Sequence, residues 1–287
     1  MRTLLTSPNS LNNSACMTYY LYDKLVEAAP ERKADYLEKG DLMHAMLEPY
    51  YKLKMLPPEQ RPPHAQMIDA AIDAGRRKVI SMDLEIEVSE DEVIPTFQEY
   101  CVYWEGKPDP EIPVAVEQPV VLELYRREDT DEEEGLIVMI EMIPDIIFEN
   151  RQGHITWTDH KTRSRNQEAT PLANQFLAYA WASGTRRAMR NNIGFQKTLP
   201  AEKKFTRDFF PYPSGVIDWW VGWSVYRAQF VDACIKAENF PPDFTKCGNY
   251  GGCTFTDVCM QSPDNRERFL NENFIKRRRI RSIYDRR

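Results

Sequence analysis

The chain has 287 residues, a size that buries one large core or two small ones. Apolar residues make up 42% and charged residues 28%, and no stretch reaches the roughly 20 apolar residues that span a bilayer. The opening MRTLLTSPNS is too short and polar for a secretory signal, so a cytoplasmic protein is expected. A net charge of −7 and a pI near 5.3 do not mark a nucleic-acid binder. The charge is uneven, however. Residues 128–134 (EDTDEEE) form an acidic loop, whereas the last twelve, KRRRIRSIYDRR, carry seven basic side chains, a pattern of a solvated tail or a phosphate contact.

Residues 11–28 read as a helix with Leu11, Ala15, Tyr19 and Tyr22 near one face and Cys16 among them; Pro30 ends it. Residues 35–54 read as a second helix. In it Gly40 lies one turn ahead of His44, so a neighbouring element or a substrate backbone could approach closely there. After the proline-rich residues 57–63, residues 64–79 and 90–104 read as helices of weaker periodicity. A second break at 108–113 leads into a strand-like run, residues 114–125 (VAVEQPVVLELY), with the acid Glu117 inside it.

The most informative stretch is residues 139–162. Two apolar runs, 139–148 and 155–162, flank a polar, glycine-containing segment, the signal of a hairpin with a longer loop. Ile155, Trp157, Asp159 and Lys161 share one face of the second strand, and Thr156, Thr158, His160 and Thr162 share the other. With the turn centred near Arg151 and Gln152, antiparallel pairing sets Asp145 beside Thr158 or Asp159. Two carboxylates that close repel unless one is protonated or a cation lies between them. A hard divalent metal held by Asp145 and Asp159, with Lys161 beside it, resolves the repulsion.

Further on, Thr170-Pro171 provides an N-cap and first position for a helix running to about Ser183, with Gln175 and Tyr179 on one face. Residues 197–208 read as a charged loop. The aromatic residues 209–223 enter a helix that continues to about Glu238, with Trp219 and Trp223 on one face as core.

Pro144-Asp145 followed by Asp159-His160-Lys161 resembles the PD-(D/E)XK nuclease superfamily. Gly40-x-x-x-His44 before that hairpin, and Gln175-x-x-x-Tyr179 after it, resemble its RecB-like branch. The resemblance implies an α/β fold with a restriction-endonuclease-like core, a mixed central sheet flanked by helices. It implies hydrolysis of phosphodiester bonds in DNA, with Mg²⁺ or Mn²⁺ held by His44, Asp145, Asp159 and the backbone carbonyl of His160. Lys161 would serve the transition state, Glu117 would be an accessory metal residue or a plain edge-strand acid, and Gln175 and Tyr179 would hold the DNA strand.

Six cysteines occur, Cys16, Cys101, Cys234, Cys247, Cys253 and Cys259. Clustered thiols in a reducing compartment point to metal, and the three in the loop at residues 247–259 are one short of four ligands. Cys16 is the best fourth, and Cys101 and Cys234 read as ordinary buried thiols. One N-terminal and three C-terminal cysteines resemble the iron–sulfur nucleases: the AddB-type subunit, the CRISPR-associated adaptation nucleases and phage relatives. There a [4Fe–4S] cluster clamps the chain ends. The gap of five residues between Cys247 and Cys253, where those families have two, leaves zinc as the alternative occupant. This resemblance implies a bacterial or phage-encoded exonuclease with a helicase, recombinase or CRISPR adaptation partner. A non-catalytic DNA-binding module with the same fold is the rival reading. The expected organisation is one nuclease domain: a helical part to 112, catalytic sheet and helix at 113–190, cysteine lobe at 191–265 and basic tail at 266–287.

Overall fold

The computed structural model describes residues 1–30, 35–81, 90–105, 107, 111–131, 133–163, 170–248 and 252–276. In chain order these form β1 (Arg2–Thr6), α1 (Pro8–Asn13), α2 (Met17–Tyr20) running into a π-helical turn, β2 (Ala28–Pro30), α3 (Asp35–Lys54), α4 (His64–Ser81) and α5 (Glu90–Glu105). Next come β3 (Glu111–Val116), β4 (Val120–Arg127), β5 (Leu136–Met142), β6 (Ile146–Asn150), β7 (Ile155–Arg163), α6 (Asn174–Ala182) and β8 (Arg187–Gly194). The chain ends with α7 (Ala201–Lys204), β9 (Phe205–Pro211), α8 (Ser214–Lys236), α9 (Thr256–Cys259), α10 (Pro263–Asn273) and β10 (Phe274–Lys276). It divides into two compact units, one of residues 1–33, 121–141 and 218–287, the other of residues 34–120 and 142–217.

The second unit is built on a five-stranded mixed sheet in the order β3-β6-β7-β8-β9, antiparallel except for the parallel pair β7–β8. A local device closes the β6–β7 hairpin. Asn150 Oδ1 accepts the backbone N–H groups of Gln152 (2.9 Å) and His154 (3.0 Å), and Gly153 takes the left-handed φ of +78°. Helices α3, α4 and α5 cover one sheet face, where Tyr50, Tyr51, Phe97 and Tyr100 pack with Phe148, Met189, Ile193 and Phe205. Gly75 of α4 allows α3 to close on it, since a Cβ there would lie 2.5 Å from Met46 Cγ. By strand alternation α6 lies on the opposite face, with Phe176 against Phe210 at 5.1 Å between ring centroids.

The first unit holds a three-stranded sheet, β1-β5-β4, and a β2–β10 pair. Strand β5 alternates cleanly, burying Leu136, Val138, Ile140 and Met142. One cluster gathers Tyr22, Ala28, Phe255, Val258 and Leu270, another Met17, Tyr20, Val231 and Cys234.

The expected α/β class with a mixed sheet flanked by helices is the observed one. Several expectations are corrected. The helix expected over 11–28 breaks at Ser14–Cys16, where the Ser14 hydroxyl bonds back to the Leu11 carbonyl and accepts from Arg227. The valine-rich run is two strands in two sheets, divided at Glu117–Pro119 because Glu117 turns to φ +49° and Pro119 brings no N–H to a ladder. The run 139–148 is likewise two strands, β5 and β6, parted at Pro144. Helix α6 starts at Asn174, not Thr170, whose carbonyl instead accepts the N–H of Ala173 in a turn (3.1 Å). The charged residues 197–208 hold α7 and the start of β9 rather than a loop. On α8 it is Trp220 that is buried; Trp219 is 65% exposed. The basic tail beyond Lys276 lies outside the described residues.

Candidate metal and active site

The β6–β7 register pairs Ile146 with Thr158, so the next position sets Asp145 opposite Asp159. The backbone N–H of His160 donates to Asp145 Oδ2 at 2.5 Å, and His44 Nδ1 lies 3.5 Å from Asp145 Oδ1. His44 arrives from α3, and Gly40 explains how. A Cβ at Gly40 would lie 3.1 Å from Thr162 Oγ1 of β7, so the glycine lets α3 rest on that strand one turn before the histidine. Glu117 follows the end of β3, where its N–H donates to the Asp145 carbonyl at 3.1 Å in a left-handed backbone that a non-glycine residue adopts at a cost. Ligand atoms of His44, Glu117 and Asp145 all lie within 4.8 Å of one another. Glu117, expected at most as an accessory, therefore stands in the tightest group.

Asp159 is buried and turns toward its own strand face. Its Oδ2 lies 2.5 Å from Lys161 Nζ, and its Oδ1 accepts from the Gln175 amide. Gln175 Oε1 in turn accepts from Lys161 Nζ at 3.1 Å. The Gln175 amide also donates to the Tyr179 hydroxyl (3.0 Å), which donates to the carbonyl of Ile143 (3.0 Å), two residues before Asp145. Tyr179 is 1% exposed, so its contact is with the Asp145 turn.

Burial and neighbouring charge set the protonation of this group. Burial works against the His44 imidazolium, but the Asp145 carboxylate outweighs it and raises the pKa to about 9. Burial pushes at Asp145 in the opposite sense, yet His44 holds its carboxyl below the usual range. Burial and then the Asp145 charge raise Glu117 to about 7 and Asp159 to about 6, the latter against the opposing pull of Lys161. His44, Glu117 and Asp159 thus retain protons that their free counterparts would have lost. An oxygen-rich donor set with one imidazole, short of positive charge, fits Mg²⁺ or Mn²⁺, the imidazole favouring Mn²⁺.

The model of the PD-(D/E)XK nuclease superfamily matches residues 6–260. The chain belongs to the PD-(D/E)XK nuclease superfamily. No curated protein matches. Among solved structures the chain is similar to that of a protein designated SSO0001, at 13% identity and a TM-score of 0.33, over 88% of this chain and 94% of that one. No described helix of this superfamily member is long and apolar enough to cross a membrane.

Sequence reasoning missed the polar group behind the site. His160 is buried, its ring stacked on Tyr51 (5.6 Å, 15°), with its Nδ1 2.7 Å from the amide nitrogen of Asn191. The same amide donates to the Tyr100 hydroxyl (2.7 Å), which lies 2.6 Å from that of Tyr51. Burial lowers the His160 pKa to about 3, so its ring is neutral and Nδ1 accepts the amide proton. The available signal was the pair Asn191-Asn192 inside an otherwise strand-like run.

The cysteines fall in the first unit, Cys101 excepted. Cys16 Sγ accepts the N–H of Asp243 (3.3 Å), and the Cys253 N–H donates to the Cys247 carbonyl (2.8 Å). Burial raises the thiols of Cys253 and Cys259; Cys247 and Cys16 push the first further, and Cys253, Cys16 and Cys247 the second, against the Arg266 charge. Cys101 and Cys234 are buried elsewhere.

Proposed function

We propose that this superfamily member is a metal-dependent DNA nuclease of the RecB-like branch, an exonuclease on single-stranded or end-exposed DNA. The observation that carries the reading is the convergence of His44, Glu117 and Asp145 within 4.8 Å, beside an Asp159–Lys161 pair. Asp145, Glu117, Asp159, the His160 carbonyl and a neutral His44 are the groups that would hold Mg²⁺ or Mn²⁺. When bound, such an ion activates water and neutralises charge on the scissile phosphate. Lys161 places its ammonium where negative charge grows in the transition state, and Gln175 fixes that ammonium through its carbonyl. Tyr179 acts on the turn that aims Asp145, and the His160 N–H orients the carboxylate. The test is degradation of linear and circular single-stranded DNA with Mn²⁺, by wild type and Lys161→Ala. Loss of linear substrate by wild type alone supports the reading. Absence of wild-type cleavage overturns it, and cutting of circles would replace the exonuclease with an endonuclease.

A second reading concerns Cys16, Cys247, Cys253 and Cys259. That the thiols of Cys253 and Cys259 feel those of Cys16 and Cys247 supports the nearness a shared metal centre needs; the choice of a [4Fe–4S] cluster ahead of zinc rests on the resemblance alone. Cys16→Ala is expected to lower metal content and melting temperature together, whereas Cys101→Ala keeps the metal. Iron and sulfide in anaerobically purified protein support the cluster. Stoichiometric zinc replaces it, and full metal in Cys16→Ala removes the shared centre.

A further inference from the structure

In the sheet order β1-β5-β4 of the first unit, strand β4 is an edge. Beyond its ladder to β5, no described residue exchanges a backbone hydrogen bond with residues 121–127. One row of its N–H and C=O groups is therefore open, and such a row is a template for another strand. Nothing in the strand itself forbids the addition. Its 8 residues include no proline and no glycine. None of its side chains is buried: Val121, Leu122, Leu124 and Tyr125 are half-buried, and Glu123 and Arg126 are exposed.

Charge decides what can pair with this edge. Like charges along it would oppose every added strand, but β4 carries both signs, Glu123 against Arg126 and Arg127. Two copies of the chain related by a two-fold axis normal to the sheet would pair these edges antiparallel. Residues equidistant from the axis then stand opposite each other on the same face. With the axis at Tyr125, Glu123 of each copy faces Arg127 of the other, and the two Tyr125 side chains meet. With the axis at Glu123 or at Arg126, like charges meet on it. With the axis at Leu124, Arg126 faces Leu122 and Arg127 faces Val121. Among these registers, the one centred on Tyr125 alone matches acid with base. It also extends ion pairs that already exist, since Glu123 holds Arg126 at 2.6 Å and Arg127 lies 2.9 Å from Glu133.

We propose that β4 is a homodimer interface, where two copies of the chain join edge to edge about Tyr125 and make one sheet of their two. The crossing Glu123–Arg127 pairs fix the register, and the open backbone row supplies the ladder. Exposed ion pairs and a ladder this short hold a weak, reversible dimer, with a Kd on the order of 10 μM. The proposal does not depend on the nuclease reading.

Sedimentation equilibrium of the full chain, from about 1 to about 300 μM, reads the mass. Wild type is expected to pass from monomer to dimer over that range. Glu123→Arg sets base against base at both crossings, and Arg127→Glu sets acid against acid. Each should weaken dimerisation about tenfold or more. Mixed in equal amounts, the two variants again match acid with base at both crossings. A heterodimer should therefore form at concentrations where neither variant dimerises alone. The mixture also separates charge from misfolding, because two disrupted chains would not restore each other. Wild type that stays monomeric at about 300 μM overturns the proposal. So does a dimer that neither substitution weakens, or a mixture that associates no better than the separate variants.

Discussion

Strand β7 has two faces that do opposite things. Asp159, Lys161 and Arg163 point to one, and Thr158 and His160 to the other. The first face is charged and strung with hydrogen bonds to Gln175. The second is sunk in the core against Tyr51 and Tyr100, with Asn191 bonded to the His160 ring. Charge placed near substrate must be held still, because a small misplacement of reacting groups is expensive in rate. Here the same peptide does both. The His160 N–H fixes Asp145 while its side chain anchors the strand, so charged and packing residues alternate along one backbone.

The largest expected effect breaks the charged face alone. On the proposed nuclease reading, Asp159→Asn and Lys161→Ala should each lower cleavage by about 100-fold or more, because each would remove charge from the reacting centre. Core packing is little disturbed, so the melts should shift only through charge: upward at neutral pH for Asp159→Asn, which removes a buried carboxylate, and downward for Lys161→Ala, which removes its cation. Measured side by side, cleavage rates and melts test the division; wild-type cleavage in both variants would end it. A smaller effect is expected on the supporting face. Asn191→Ala leaves the His160 ring and the Tyr100 hydroxyl without a buried partner, costing about 1–3 kcal/mol in denaturant melts. A full loss of activity with unchanged stability would show that this face is chemical rather than supporting.

How much of this is legible in the sequence follows from the same two faces. The charged face is readable because its residues are rare in strand interiors and repeat with period 2: Asp159 and Lys161 stand out, as does Asp145 across the turn. Gly40 before His44 is legible as a close approach, and Thr162 is its partner. The supporting face is not. Asn191 and Tyr100 lie 91 positions apart, and nothing local in either segment announces their bond. Strands β8 and β9 escape notice because the polar residues Arg190, Asn192, Arg207 and Asp208 mask their alternation. They are polar because that sheet surface carries polar groups on both sides. Breaks at Glu117 and Pro144 are hidden for a related reason: valine and isoleucine on both sides of each make a continuous apolar run, although the chain changes sheets there.

The smallest and most revealing effect is a pH dependence of metal-free protein. His44 at about 9, Glu117 at about 7 and Asp159 at about 6 all lie above their ordinary values of 6.5, 4.5 and 3.8. Between the ordinary and the folded value each group is protonated in the folded chain and deprotonated in the unfolded one. Folding then takes up protons, so stability falls as pH rises. The windows run from about 4 to 6 for Asp159, 4.5 to 7 for Glu117 and 6.5 to 9 for His44. Asp145 is shifted down and acts oppositely, its contribution being lost only as pH drops below the ordinary carboxylate range. Melts in EDTA should therefore fall steadily from about pH 5 to about pH 9. Glu117→Gln should remove the part between 4.5 and 7 and leave the part above it, which separates the site from general charge repulsion in an acidic chain. Mn²⁺ competes with the proton on His44, so it should raise the melting temperature more at about pH 8 than at about pH 6. A melt that climbs with pH in EDTA would overturn the charge reading of the site, because then the folded chain would be releasing protons where this arrangement has it keep them.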